Sequence, residues 1–243
     1  MHDMLIICSI VVAASFLQGL TGFGFALIAL PLLGFLIDIK TSVPLMTLLA
    51  LCISLTQSFQ LRQDIRLKNV LPLIIAAIPG IFLGAYVLKH VPSEILSLGI
   101  GILMVVFTTY QLLIKPAPRN SGRIVTSIAG FTSGILGGSI GAGGPPVIVY
   151  SAIQSWTKNQ AKATLAAYFT FSGIMVAGMH AYLGMTTSNV LKLLMYAFPA
   201  LFIGNLLGAF VYTRLSDHGY RKFAFVLVFI LGCMMIYRTV LSH

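Results

Sequence analysis

The stretch GILGGSIGAGGPPV, residues 134–147, decides how this chain is read. Six of its fourteen residues are glycine and two are adjacent prolines, the two poorest helix formers. Around it the chain is almost uninterrupted hydrocarbon. Hydrophobic residues make up 58% of 243, charged residues 8%, and the mean hydropathy is +0.99. Soluble domains carry about 25% charged residues, so the composition predicts a polytopic membrane protein. In a bilayer every backbone N–H and C=O must be satisfied internally, and non-helical backbone survives at depth only when buried in protein or lining a cavity.

Working outward, apolar segments run at 2–37, 41–61, 67–89, 94–114, 122–153, 160–183, 187–213 and 221–241. A spanning helix needs about 20 residues. Six segments suit single spans; 2–37 and 122–153 are too long for one, and these two contain the glycine-rich breaks. Apolar runs recur from end to end, so a signal peptide does not explain the first segment.

The breaks belong to an internal repeat. GLTGFGFALIALP (19–31) aligns without gaps on GILGGSIGAGGPP (134–146), pairing Gly19, Gly22 and Pro31 with Gly134, Gly137 and Pro146. IPGIFLGAYV (78–87) likewise resembles FPALFIG (198–204) followed by LGAFV (207–211), with one short insertion that pairs Pro79 with Pro199. The expected organisation is one integral membrane domain of two transmembrane repeats, 1–114 and 115–243, each of about four apolar segments.

Charge sets their orientation. The net charge of +10 comes from fifteen basic residues in short connections between apolar spans, which is a membrane pattern and predicts no nucleic-acid partner. If every segment crosses once, the basic residues divide eight to seven between the two sides. If 2–37 and 122–153 each dip in and return, then Arg62, Arg66, Lys68, Lys115, Arg119, Arg123, Lys158, Lys162, Arg214, Arg221 and Lys222 share one side, leaving only Lys40, Lys89, Lys192 and Arg238 opposite. Eleven against four obeys the positive-inside rule. The expectation is an all-α membrane protein of two inverted-topology repeats, the first segment of each a broken or re-entrant helical hairpin.

The breaks also suggest chemistry. A helix start leaves amide groups unpaired and carries partial positive charge, so it attracts anions. New helical runs are expected near Phe25 and near Pro145, and proline suits a first turn because its missing N–H would have had no partner there. The predicted ligand-facing set is Gly19, Thr21, Gly22, Phe23 and Gly24 in the first half. In the second half it is Ser133, Gly137, Gly138, Ser139, Gly141, Gly143, Gly144 and Pro145. Gln57 and Tyr168, with Thr170 and Ser172, either line the same cavity or hydrogen-bond between helices. The bland reading of the glycines is close helix packing.

What is missing counts as well. Asp3, Asp38, Asp64, Glu94 and Asp217 all fall at span ends or loops, which disfavours a cationic substrate or a carboxylate proton relay. Cys8, Cys52 and Cys233 lie far apart in apolar runs with no metal spacing, so neither a metal nor a cofactor is expected. GGSIG (137–141) matches the G-x-S-x-G elbow of serine hydrolases, but that elbow needs a preceding strand and a nearby base, and the predicted context is helical. The chain is read as no enzyme. His180 and Trp156 are expected at the interface, and Asn205 is a polar group within an apolar run.

LQGLTGFGFALIALPLL near the amino terminus and GFTSGILGGSIGAGGPPV in the second half resemble the paired signatures of the sulfite exporter TauE/SafE family. The resemblance covers nearly the whole chain. It implies a multi-pass permease of the bacterial cytoplasmic membrane for small sulfur-containing or related organic anions, often running outward, with 19–25 and 134–144 matching the family signatures. The resulting expectation is a secondary transporter, an exporter of an anion such as sulfite or a sulfonate, working by alternating access. An anion channel of the same fold and a non-transporting assembly partner remain the alternatives. The sequence leaves the oligomeric state, the coupling ion and the identity of the anion open.

Overall fold

A computed structural model describes residues 2–21, 24–114, 121–212 and 219–241. Ten helices follow in order: α1 (His2–Thr21), α2 (Phe25–Gly34), α3 (Ile39–Gln60), α4 (Leu67–His90), α5 (Ser93–Leu113), α6 (Arg123–Ile140), α7 (Gly144–Ala152), α8 (Lys158–Tyr182), α9 (Ser188–Tyr212) and α10 (Gly219–Leu241). The described residues contain no strand. The two long apolar segments are the ones that split, into α1–α2 and α6–α7; the other six are single helices. Among the described residues α3, α4, α5, α8 and α9 are long and apolar enough to cross a membrane.

Local chemistry explains several ends. Asp38 precedes α3, and its Oδ2 accepts from the Lys40 amide at 2.8 Å, satisfying one donor that the helix cannot. Its Oδ1 accepts from Ser93 Oγ, also at 2.8 Å, which ties the starts of α3 and α5 together. Thr157 and Gln160 form a capping box at the start of α8. Gly141 closes α6 at φ 66°, a left-handed conformation that glycine adopts without a Cβ penalty. The Gly141 amide returns to Gly137 O and the Ala142 amide to Leu136 O, the paired bonds that finish a helix before a sharp turn.

The helices form two compact units that draw on both halves of the chain. The first comprises residues 1–46, 91–115 and 188–243, and the second 47–90 and 116–187, the boundary falling within α3. In the first unit α1 packs on α9, and α5 on α10. In the second, α4 packs on α6 and α8, around a core that includes Leu73, Ala77, Ile81, Ala129, Val147 and Tyr168.

The α1–α9 and α4–α6 crossings are built alike. A Cβ added to Gly138 of α6 would lie 2.8 Å from the Ala85 amide of α4, and one on Gly19 of α1 would lie 2.9 Å from the Ala209 amide of α9. Gly84 would meet Ser139 N at 2.9 Å; Gly208 would meet Leu20 N at 3.0 Å. Backbone touches backbone at these points, as small residues permit in membranes. In these contacts Gly19 takes the position that Gly138 takes, one helical turn beyond the Gly134 of the gapless alignment. GIFLGAYV (80–87) also aligns on GNLLGAFV (204–211) with no insertion, a register that leaves Pro79 and Pro199 unpaired and that the glycine contacts favour. Small residues recurring every four positions make a one-turn slip nearly costless in sequence; only the contacts distinguish the registers.

Candidate functional site

The second break folds back on itself. Ser121, Thr126 and Ser133 climb from just before α6 into the helix; Gln154, Tyr150 and Gly143 meet them in reverse order. Gln154 Nε2 donates to Ser121 Oγ, the Thr126 and Tyr150 hydroxyls are 3.0 Å apart, and Ser133 Oγ donates to Gly143 O. α6 and α7 are thus an antiparallel hairpin. Ser133 lies ten residues along α6, about 15 Å from its start, and α7 begins opposite it. An added Cβ on Gly143 would stand 2.7 Å from Ser133 O and 3.2 Å from the Gly137 Cα, so the turn-back needs glycine there.

A hydroxyl chain converges on the same point. Tyr168 of α8, 1% exposed, donates to Ser133 Oγ at 2.8 Å; the Ser133 hydroxyl, 2% exposed, donates in turn to Gly143 O. Three helices therefore meet at four of the expected ligand-facing positions: Ser133, Gly137, Gly143 and Tyr168. Gly144 and the buried Pro145 begin α7 beside them. Of the first three residues of α7 only Gly144 carries an amide proton, since Pro145 and Pro146 have none.

Other expected residues sit elsewhere. Gly19 and Gly138 are spent on helix packing. Ser139 is buried on the α4-facing side of α6, its hydroxyl donated to Ile135 O at 2.6 Å. Gly141 caps α6. Gln57 is half-buried on α3, next to Ser58, whose hydroxyl lies 2.9 Å from that of Thr170. Gly24 precedes α2 at φ 103°. Gly22, Phe23 and the Thr21 side chain lie outside the described residues.

His180 is not peripheral within its unit: it is fully buried, its Nε2 2.9 Å from Gly138 O, which requires the proton on that nitrogen. Asn205 is half-buried, and its Oδ1 has no partner among the described residues. Trp156 packs edge-on against Tyr150. Sequence reasoning overlooked Gln18, whose Oε1 accepts from the Phe25 amide at 3.0 Å and so caps α2 across the first break. The available signal was a lone strongly polar side chain in the last turn of an apolar helix.

In the described chain Asp38, Asp64 and Glu94 all lie in connections or a first helical turn, and no cluster of His, Cys, Asp or Glu could hold a metal ion. What gathers at the second break is backbone and hydroxyl.

Apolar spans joined to a broken helical hairpin define a polytopic α-helical membrane protein. The sulfite exporter TauE/SafE family matches residues 7–235, and the chain belongs to that family, a family of transporters. It is similar to the probable sulfite/organosulfonate exporter TauE of Cupriavidus necator, 25% identical over 232 residues that cover 92% of this chain and 90% of that protein. No solved structure matches the chain.

Proposed function

We propose that the protein is a secondary transporter that exports a small sulfur-containing or organic anion, such as sulfite or a sulfonate, by alternating access. The family match over residues 7–235 carries the reading, and the name of the Cupriavidus necator relative supplies the substrate class. The site agrees with it in kind. A hairpin break lined by backbone and hydroxyl groups, with no carboxylate beside it among the described residues, suits an anion better than a cation.

The proposed topology is two inverted repeats. Each opens with a broken hairpin, the second entering from the cytoplasmic side of a bacterial inner membrane. The eleven-to-four distribution of Lys and Arg supports this sidedness, and the return of Gln154 to Ser121 supports re-entry in the second half. With Ser133 about 15 Å along α6, Gly143 would sit near the midplane of a hydrocarbon core about 30 Å thick. The corresponding glycine contacts of the α1–α9 and α4–α6 crossings support the repeat.

The test is a thermal-stability screen of the purified protein against sulfite, thiosulfate, sulfoacetate, sulfate, taurine and short carboxylates, followed by efflux from proteoliposomes. Stabilisation and saturable efflux with the same sulfur oxyanion are expected. Steady unitary currents would replace the carrier by a channel, and absence of any anion response would remove the transport reading.

A further inference from the structure

At the closed base of the hairpin, well below the glycine break, the second unit holds a cavity of about 480 Å³. Its walls have two chemistries. Lys68 from the first turn of α4 and Arg123 from the first turn of α6 face it, together with Ser121, Asn69 and Ser127. Neither cation is ion-paired among the described residues, and Asp64 is the only acidic residue in this unit's sequence. Thr126, Tyr150 and Gln154 also line it, but their polar groups are engaged in the hydrogen bonds of the hairpin. The apolar part of the wall is Leu71, Pro72, Ile75 and Ala76 of α4 with Trp156, Leu71 and Ile75 being 48% and 64% exposed.

An inorganic anion would use the cations and ignore the apolar rail. An acyl chain alone would use the rail and ignore the cations. A molecule with a phosphate at one end and hydrocarbon at the other uses both. From Lys68 to Ile75 the helix rises about 10 Å, enough to carry the first several methylenes of a chain down from a headgroup. Aromatic side chains such as Trp156 belong at that level of a bilayer, and basic pockets between transmembrane helices are suited to anionic headgroups.

We propose that this cavity seats one anionic glycerophospholipid, its phosphate held by Lys68 and Arg123 and an acyl chain laid along Leu71 and Ile75. The proposal rests on the chain being a membrane protein and is independent of which anion is exported.

The test is native mass spectrometry of the full-length purified protein, titrated in detergent with dioleoylphosphatidylglycerol or dioleoylphosphatidylcholine. Wild type is expected to retain the anionic lipid preferentially. Lys68→Gln with Arg123→Gln should weaken that retention by roughly tenfold or more, while the charge-matched pair Arg62→Gln with Lys89→Gln leaves it near wild type. Ile75→Gln, which keeps both cations, should weaken it as well and guards against loss of the double variant to misfolding. Equal retention of the two lipids, or an equal fall in both double variants, overturns the proposal. So does displacement of the bound lipid by inorganic phosphate, which would make the cavity a site for a free anion.

Discussion

The Tyr168 hydroxyl lies 2.8 Å from Ser133 Oγ, and through that serine a side chain of α8 holds the backbone of a turn it does not reach itself. Tyr168→Phe leaves Ser133 without its donor, and Ser133→Ala frees both Tyr168 and Gly143 O. Each should cost about 1–3 kcal/mol. The double variant should lose less than the sum, with a coupling of about 0.5–2 kcal/mol, measured by unfolding in detergent. Strict additivity would mean that the two hydroxyls do not communicate.

Helix packing at glycine makes a sharper contrast. A methyl on Gly80 would lie 2.9 Å from the Ile135 amide, while Gly99 has nothing within 4 Å of an added Cβ. Gly80→Ala should lower the melting temperature and the yield of folded protein. Gly99→Ala should be neutral or stabilise by about 0.5–1 kcal/mol through helix propensity alone. Equal effects would contradict the α4–α6 crossing.

The two glycines of the break should fail differently. Gly141→Ala forces a side chain into the left-handed region at φ 66° and should cost about 1–2 kcal/mol while leaving anion-dependent stabilisation in place. Gly143 sits at an ordinary φ of −70°, so alanine there strains no dihedral; it collides with Ser133 O instead. Gly143→Ala should open the hairpin and abolish both anion-dependent stabilisation and efflux.

Gln18→Leu keeps the size of the side chain and removes the acceptor of the buried Phe25 amide. A stability loss of about 1–3 kcal/mol is expected, with faster hydrogen exchange at Phe25 and its neighbours than in α7. Unchanged exchange would show that α2 does not depend on this cap.

Much of the fold was legible because the physics behind it is local. The eight apolar segments became helices, and the two that exceeded a single span broke where the glycines lie, since backbone propensity acts over a few residues. The convergence of residues at the candidate site was legible in part. Ser133, Gly143 and Tyr168 were singled out as glycine-rich or polar positions in hydrocarbon, and they do meet. Ser139 was singled out on the same grounds, yet its rotation about α6 turns it toward α4. Gln18 was missed because its role depends on where the chain goes after the break.

Composition, span length and breaker residues alone determined that this is a helical membrane protein with two interrupted segments, because transfer to hydrocarbon and backbone propensity are properties of short stretches. Register and pairing were decided only in three dimensions. Glycines repeating every four residues leave several alignments equally good, and which one packs depends on backbone atoms of another helix. The seating of Gly19 against α9 and of Gly138 against α4, like the meeting of Tyr168 with Ser133, joins distant parts of the chain, and no local pattern encodes it.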